Sequence, residues 1–400
     1  MKKRSLIENI QELAIKNQKM AFISGPRQVG KTTLSKQIVG KSGIYNNWDD
    51  IDFRRLWTKH PNQTLPDKDG IGVIYDEIHK TNRWKSTLKG IYDTKKIDCP
   101  IIVTGSAKLD IYRKGSDSLM GRYFNFRLHP FSVGEITHKK IPSPDNIIDQ
   151  ALALQHSKAA NEAWNNLNRF GGFPEPFLKQ SDKFYNIWRQ GRLAKVVRED
   201  LRDLSNIPEL AKIDMLISIM PERVASPVSI TSLREDLEVS YDAMKRWLQY
   251  LRQLYYHFEL KPWSQKIPRS LKKESKLYLW DWAECTDVGA KLENIVASHL
   301  LKACHYWTDS GEGNFDLFYL KDKQKHEVDF LITKNNKPFL PIECKLNSTT
   351  LSPNLISFNK HLKLPNLVQL VNKDSVKSST KIDGSRYSVI SANHFFRVLP

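Results

Sequence analysis

Residues 25–32 read Gly-Pro-Arg-Gln-Val-Gly-Lys-Thr and match the GxxxxGK[ST] phosphate-binding loop at every fixed position. The apolar run 20–23 before the loop predicts a strand, and the amphipathic pattern over 31–39 after it predicts a helix. In such a loop the backbone N–H groups surround a triphosphate, Lys31 reaches its β- and γ-phosphates, and the Thr32 hydroxyl ligates Mg²⁺. We therefore expect ATP and Mg²⁺ as cofactors, bound by the loop residues Gly25, Pro26, Arg27, Gln28, Val29, Gly30, Lys31, Thr32 and Thr33.

Two later apolar runs end in polar side chains that hydrolysis of ATP requires. The first, 73–75, is followed by Asp76, which would hold Mg²⁺ directly or through water, and by Glu77, which would polarise the attacking water. The second leads to Thr104 and Ser106, two candidate sensors of the γ-phosphate, because ligands bind at the carboxyl edge of an open α/β sheet. Together with the loop, these residues predict an ATP-hydrolysing domain.

An arginine is normally needed to neutralise the transition state of phosphoryl transfer, from the same chain or from a neighbouring subunit. Our candidate is Arg122, and Arg27 and Arg113 are its rivals. A structural ion pair between Arg122 and a carboxylate is an equal alternative.

Two apolar strands predicted near the C-terminus form a hairpin around the polar turn 334–337, and they carry acidic and basic side chains. The first contains Asp329 and the second contains Glu343 and Lys345. Because side chains alternate along a strand, Glu343 and Lys345 share a face. We expect Asp329 and Glu343 to hold Mg²⁺, and Lys345 to orient or help deprotonate an attacking water. Glu293, on a predicted helix, would complete the metal shell.

Residues 229–254 have the pattern of two helices joined by a tight turn, with Ser240 as the N-cap of the second helix, which is typical of a helix-turn-helix. Strand-like stretches at 255–260 and 277–280, on either side of a basic turn, would supply a wing. If the module reads DNA, the second helix enters the major groove and the wing meets phosphates. The predicted contacts are Tyr241, Asp242, Lys245 and Arg246 on the helix and Arg269, Lys272 and Lys273 on the wing. The alternative is a winged helix used only for packing or protein contact.

Five sequence boxes together resemble a widespread prokaryotic group of AAA-type ATPases, the archaeal-type ATPases, whose C-terminal domain was long of unknown function. The boxes are the phosphate loop with the following Thr-Leu, Tyr-Asp-Glu-Ile-His-Lys at 75–80, Thr-Gly-Ser at 104–106, Gly-Arg-Tyr-Phe at 121–124 running into Leu-His-Pro-Phe-Ser at 128–132, and Gly-Gly-Phe-Pro-Glu at 171–175. The resemblance implies an AAA+ core, a winged-helix segment and a C-terminal nuclease-like fold.

The C-terminal carboxylates also resemble the PD-(D/E)XK nuclease superfamily. Glu293 would be the acidic residue of the first helix, Asp329 the motif aspartate, and Glu343-Cys344-Lys345 the E-x-K element. No proline directly precedes Asp329, which is a mild departure from the pattern. The resemblance implies a Mg²⁺-dependent phosphodiesterase, and a purely nucleic-acid-binding descendant is the alternative.

The chain is strongly basic, with 62 Lys and Arg against 44 Asp and Glu and a formal net charge of +18 over 400 residues. Such an excess favours a polyanionic partner, with DNA as the leading candidate, although an anionic membrane surface or plain solubility would also fit it. No apolar run approaches the ~20 residues that span a bilayer, and the four cysteines form no CxxC pair. We therefore expect a cytoplasmic protein without a membrane partner, able to form a homo-oligomer.

These observations predict an α/β protein of four parts. They are an AAA+ P-loop core with a parallel sheet at 1–145, a helical segment at 146–207, a winged-helix module at 208–280, and an α/β restriction-endonuclease-like domain at 281–400. The leading hypothesis is an ATP-hydrolysing, nucleic-acid-binding protein with a Mg²⁺-dependent nuclease domain, serving DNA processing or defence against foreign DNA. The alternative is a non-cleaving AAA+ ATPase switch whose nuclease-like fold is a binding or docking module. A signalling ATPase without a nucleic-acid role is a third hypothesis.

Overall fold

The computed structural model describes residues 2–105, 119–137, 141–195, 201, 209–264 and 274–400. It divides into two compact units, Met1–His129 and Pro130–Pro400. Five of the residues singled out above lie outside the described residues, namely Ser106, Arg113, Arg269, Lys272 and Lys273.

The N-terminal unit alternates helices and strands. Its elements are α1 Leu6–Asn9, β1 Met20–Ser24, α2 Lys31–Val39, β2 Ile44–Asn47, α3 Ile51–Lys59, β3 Val73–Asp76, α4 Trp84–Thr94, β4 Ile101–Gly105 and β5 Tyr123–Arg127. A π-helix at Ile10–Ile15 continues α1, and short 3-10 turns lie at Pro61–Thr64 and Ile78–Lys80.

The five strands form one sheet in the order β2-β3-β4-β1-β5, and every neighbouring pair is parallel. All residues of β1, β3 and β4 are buried, as expected for central strands covered by helices on both faces. The predicted parallel α/β sheet is confirmed. In this order β1, the strand before the phosphate loop, lies between β4 and β5.

Aromatic side chains fill one face of this sheet. Phe53 and Trp57 of α3 pack on Tyr75 of β3, with ring centroids 6.1 and 5.2 Å from that of Tyr75. On the same side, Trp84 of α4 packs on Phe22 of β1, with centroids 6.0 Å apart. Large rings bury much apolar area at low entropic cost. These contacts hold β1 and β3, the strands that lead into the phosphate loop and Asp76, in one rigid layer.

The C-terminal unit begins with helices. They are α5 Val133–Thr137, α6 Ile147–Ala153, α7 Lys158–Phe170, α8 Pro174–Lys179, α9 Asp182–Lys195 and α10 Leu210–Ile219, with 3-10 turns at Pro144–Asn146 and Met220–Arg223. The sequence assigned residues up to 145 to the ATPase core, whereas α5 packs on the end of the chain. Ser132 donates to the Pro400 carbonyl at 2.7 Å, and a Cβ at Gly134 would lie 1.9 Å from the Leu399 carbonyl oxygen. Ser132 and Gly134 therefore pack within the C-terminal unit, and the domain boundary at 145 stays a prediction.

The two helices predicted for the helix-turn-helix are present as α11 Ile230–Asp236 and α12 Tyr241–Gln253, and their identity as a winged-helix module stays a prediction. Ser240 caps α12, since its hydroxyl accepts the Ala243 N–H at 3.2 Å, as its sequence position indicates. An antiparallel hairpin of β6 His257–Leu260 and β7 Lys276–Leu279 follows. The first strand starts two residues later than predicted because Tyr255 has a left-handed φ of 57°.

A six-stranded mixed sheet closes the chain, in the order β12-β13-β11-β10-β9-β8. Its elements are α13 Val288–Asp309, β8 Phe315–Lys321, β9 Glu327–Lys334, β10 Lys337–Lys345, α14 Pro353–Leu362, β11 Asn366–Val371, β12 Lys377–Ile382, β13 Ser385–Ser391 and α15 Ala392–Phe395, with 3-10 turns at Trp282–Glu284 and Phe396–Val398. Strands β8, β9 and β10 are antiparallel, and β10, β11 and β13 are parallel. The predicted hairpin of β9 and β10 is confirmed, whereas the nuclease-like identity of this domain stays a prediction.

Within the described ranges, none of the helices has both the length and the apolar character needed to cross a bilayer.

Candidate nucleotide site and carboxylate pocket

The parallel sheet brings the predicted ATPase residues to one edge. Asp76 ends β3 and pairs in register with Thr104 of β4, while the phosphate loop follows β1 directly. The Asp76 carboxylate accepts three hydroxyl donors. Thr32 Oγ1 donates to Oδ2 at 2.9 Å, Tyr45 Oη donates to Oδ2 at 2.8 Å, and Thr104 Oγ1 donates to Oδ1. The loop, the carboxylate predicted to hold Mg²⁺ and one sensor candidate therefore lie together at this edge, while their roles stay predictions.

Tyr45 is the member of this group that sequence reasoning missed. It lies on β2, two residues before the strand ends, and its pKa is raised to about 12 by burial and by the hydrogen bond to Asp76. The Lys36 ammonium lies 4.2 Å from the centre of its ring. Only the pairing of β2 with β3 brings Tyr45 beside Asp76, and a single sequence does not reveal strand order.

The backbone of the loop requires its glycines. Gly25 has a φ of 151° and Gly30 has a φ of 97°, both in the region that side chains disfavour. A Cβ at Gly25 would lie 2.3 Å from the Leu128 carbonyl oxygen. Gly30 is also the residue before α2, so the positive end of that helix faces the loop.

Lys31 is buried at the base of the loop, where its ammonium donates to the carbonyls of Gly25 at 2.9 Å and Pro26 at 2.8 Å. Phosphate oxygens are stronger acceptors than neutral carbonyls because the hydrogen bond is then between two charged groups. The site therefore holds an ammonium that a nucleotide phosphate can recruit.

The donor set at this edge fits Mg²⁺. A threonine hydroxyl and a carboxylate supply the hard oxygen ligands that this ion takes alongside phosphates and water. Thr32 and Asp76 already lie within hydrogen-bond distance, so both can reach one ion.

The surroundings of Glu77 raise the pKa of its carboxyl group. Burial raises its pKa, Asp76 adds to the increase, and Lys31 opposes it. Its φ of 60° is left-handed, which turns the side chain away from the path of β3, and its Oε2 lies 3.4 Å from His79 Nε2. His79, which is a buried histidine, therefore lies beside the predicted catalytic carboxylate.

Arg122 does not lie at this edge. It precedes β5, and its carbonyl accepts the N–H of Met20, the first residue of β1. It is therefore at the amino edge of the sheet, a strand length of roughly 17 Å from the loop. Its guanidinium binds Asp93 with N–O distances of 2.7 and 2.9 Å. Within its own chain Arg122 therefore forms an ion pair with Asp93, which is the alternative given above, and does not reach the phosphate loop. A catalytic role toward a neighbouring subunit stays a prediction.

The C-terminal sheet places Asp329 of β9 opposite Glu343 of β10, one step beyond the Phe330–Ile342 pair. The Asp329 N–H donates to Glu343 Oε2 at 3.4 Å, and the Cys344 N–H donates to Asp329 Oδ2 at 2.8 Å. Lys345 Nζ donates to Glu343 Oε1 at 2.7 Å. The two carboxylates and the lysine are therefore on one face, as predicted.

What we call the carboxylate pocket is a cluster of four acidic residues, Glu293, Glu327, Asp329 and Glu343, of which the three glutamates form ion pairs with Lys276 or Lys345. Loss of hydration raises the pKa of Asp329, and Glu293 and Glu343 add to the increase. Lys276, a residue that sequence reasoning missed, donates to Glu293 Oε1 at 2.9 Å. Burial alone would lower the pKa of Lys276, but Glu293, Asp329 and Glu327 raise it.

The carboxylate pocket does not fit Mg²⁺ as it is arranged. Over the residues with described placement, no three His, Cys, Asp or Glu side chains are grouped as a metal site needs. Glu293 Oε1 accepts from Lys276 and from Tyr278 Oη at 2.7 Å, and Glu343 Oε1 accepts from Lys345 and from Ser352 Oγ at 3.2 Å. The predicted shell of Glu293, Asp329 and Glu343 is thus not assembled around one ligand position.

In the helix-turn-helix, α12 buries Met244, Trp247 and Leu251 and exposes Tyr241, Lys245 and Arg246. The predicted contact face on α12 is therefore open to solvent. The wing residues named above lie outside the described residues.

The loop geometry predicts the effect of one added methyl group. In Gly25→Ala the new Cβ meets the Leu128 carbonyl, and backbone strain of this kind costs about 1–3 kcal/mol. Affinity for ATP, measured by calorimetry, should fall by roughly tenfold or more. The matched control is Gly90→Ala in α4, where a Cβ meets no atom within 4 Å, and ATP affinity should stay unchanged. Equal affinities of the two variants would contradict the role of Gly25.

Three families match successive parts of the chain. Residues 17–137 match the family described as AAA domain, residues 161–285 match a domain of unknown function (DUF8612), and residues 288–393 match another (DUF4143). The chain is also similar to uncharacterized protein MJ1544 of Methanocaldococcus jannaschii, with 25% identity over 90% of this chain and 83% of that protein. It is 23% identical to uncharacterized protein Rv2008c of Mycobacterium tuberculosis, over 82% of this chain and 71% of that protein.

Solved structures with some similarity include the RuvB Holliday junction branch migration motor of Thermotoga maritima, with 18% identity, 68% of this chain, 96% of that chain and a TM-score of 0.33. Another is the Aeropyrum pernix ORC1 protein in complex with DNA, with 14% identity, 73% and 90% coverage and a TM-score of 0.33. Scores this low do not establish a common fold. The family match at 17–137 and the parallel sheet with its phosphate loop support a P-loop AAA+ ATPase core in the N-terminal unit.

Proposed function

We propose that the protein hydrolyses ATP in its N-terminal unit and uses the nucleotide cycle to control binding of a nucleic acid, with DNA as the first candidate. The observation that carries the ATPase part is the meeting of Thr32, Thr104 and the Asp76 carboxylate beside the phosphate loop. The parallel sheet of the N-terminal unit positions these groups before any ligand binds. Groups positioned in advance can stabilise the charge of a transition state without reorganisation of the protein.

The proposed roles follow from chemistry and position. Lys31 binds the β- and γ-phosphates, and Thr32 and Asp76 hold Mg²⁺, which neutralises charge on the phosphates when bound. Glu77 accepts a proton from water, and His79 Nε2 lies 3.4 Å from the Glu77 carboxylate. The raised pKa of Glu77 brings it nearer to neutral pH, where a general base is most effective.

The nucleic-acid part of the proposal is supported by charge and exposure. The chain carries a formal charge of +18, and α12 presents Tyr241, Lys245 and Arg246 on its open face. A basic helix with its N-terminal residues exposed after a tight turn is suited to a DNA groove. DNA processing or defence against foreign DNA is the setting in which we place such a protein.

Removal of two groups at the nucleotide site separates binding from hydrolysis. Lys31→Ala should abolish both because the ammonium for the phosphates is gone. Glu77→Gln should keep ATP binding and lower kcat by about 10²–10⁴-fold, since the base is lost. Phosphate release and ATP affinity are measured side by side, and Lys41→Ala, an exposed lysine beyond α2, is the control with normal turnover. A Glu77→Gln protein with full activity would contradict the assignment.

The face of α12 is tested by salt dependence. The double variant Lys245→Ala/Arg246→Ala should bind duplex DNA more weakly, and the slope of log affinity against log salt should become shallower by roughly 0.9 for each lost phosphate contact. The control Lys323→Ala/Lys325→Ala removes the same charge from the exposed turn before β9 and should keep the wild-type slope. Absence of wild-type binding at low salt would favour the signalling ATPase instead.

A second candidate function, phosphodiesterase activity in the C-terminal domain, is favoured by the placement of Asp329, Glu343 and Lys345 on one face. The alternative is that this domain serves as a binding or docking module.

Cleavage of a DNA and RNA panel in the presence of Mg²⁺ and ATP decides between these two. If the domain cuts, Lys345→Ala should remove cleavage and leave ATP turnover unchanged, because the two sites use separate residues. Loss of ATP turnover in Lys345→Ala would contradict this division. If the wild-type protein cuts no member of the panel, the C-terminal domain is assigned the binding or docking role instead.

A further inference from the structure

Lys276 brings a positive charge into the carboxylate pocket. It is the first residue of β7 and is only 3% exposed. Its ammonium lies 2.9 Å from Glu293 Oε1, pairs with Glu327, and lies 5.5 Å from the centre of the Tyr319 ring. An ammonium offers three donors and no acceptor, so carboxylates and an aromatic face are its natural partners.

The glutamates of the pocket are each paired with a lysine. Besides the contacts of Lys276, Glu343 pairs with Lys345 at 2.7 Å and Glu327 pairs with Lys321 at 3.3 Å. A Mg²⁺ ion needs a near-octahedral shell of oxygens at short distance. To enter here it would have to displace an ammonium that is itself buried, and a buried charge that loses its partners is strongly unfavourable.

We propose that the Lys276 ammonium is the resident cation of the carboxylate pocket and takes the place that the nuclease resemblance gives to Mg²⁺. Lys276 joins the β6–β7 hairpin to Glu293 of α13 and Glu327 of β9. The pocket thereby fastens the hairpin beside the helix-turn-helix to the six-stranded sheet. This inference goes beyond the proposed ATPase, does not depend on it, and favours the docking role of the C-terminal domain.

The first test is a titration of the nucleotide-free wild-type protein with Mn²⁺, followed by electron paramagnetic resonance of the free ion and by thermal unfolding. We expect that the wild type binds no Mn²⁺ at a site that depends on Asp329. We also expect that Mn²⁺ does not increase its Tm. An Asp329-dependent site in the wild type, or an increase in Tm that Asp329→Asn abolishes, would overturn the proposal. This test needs no variant of Lys276 and is independent of ATP turnover.

The second test removes the ammonium. Lys276→Met should lower Tm in metal-free buffer, because Glu293 and Glu327 lose their shared cation, and it should gain a Mn²⁺ site whose occupation raises Tm again. Adding Asp329→Asn to this variant should abolish the site. Lys276→Arg keeps a cation and should gain no site.

The matched control is Lys321→Met, which removes the partly exposed lysine that also pairs with Glu327 and leaves Lys276 in place. It should gain no Mn²⁺ site and should change Tm less than Lys276→Met. A Lys276→Met protein with wild-type Tm and no new Mn²⁺ site would show that Lys276 is not the counter-ion of the pocket.

Discussion

The parallel pairing of β4 with β3 on one side and with β1 on the other is the constraint on which the nucleotide site depends. Parallel strands end at the same edge, so their pairing gathers the phosphate loop, Asp76 and Thr104 without a direct sequence link between them. The central strands are buried on both faces, and their backbone groups must therefore be satisfied by neighbouring strands. Register is consequently not free to slip, and the positions of Asp76 and Thr104 at the ends of their strands are fixed with it.

Local patterns predicted the loop, the acidic pair after β3, the cap of α12 and the β9–β10 hairpin, because each depends on residues close in sequence. Tyr45, Lys276 and the Arg122–Asp93 pair were not predictable in this way. Each depends on which elements become neighbours, as when the start of β5 places Arg122 at the edge opposite the loop. Strand order and helix docking are set by the packing of the whole unit, which one sequence does not display.

The two predicted magnesium sites have similar residue types but differ in the groups that bind their carboxylates. Both contain carboxylates and a lysine, yet the donors to the Asp76 carboxylate are hydroxyl groups in the part of the chain that the structure describes, whereas the glutamates of the carboxylate pocket pair with ammonium groups. A neutral hydroxyl can itself become a metal ligand, but an ammonium excludes a second cation. The charge of the partners, and not the number of acidic residues, therefore determines what each site can bind.

The contact between Gly25 and the Leu128 carbonyl has a consequence for biosynthesis. The strand before the loop has both of its sheet partners far downstream, in 101–105 and 123–127. Since domains fold as units during translation, the amino-terminal third of the chain must leave the ribosome before its first strand can be enclosed. Until then the Leu128 carbonyl, which lies against Gly25, is not in place beside the phosphate loop.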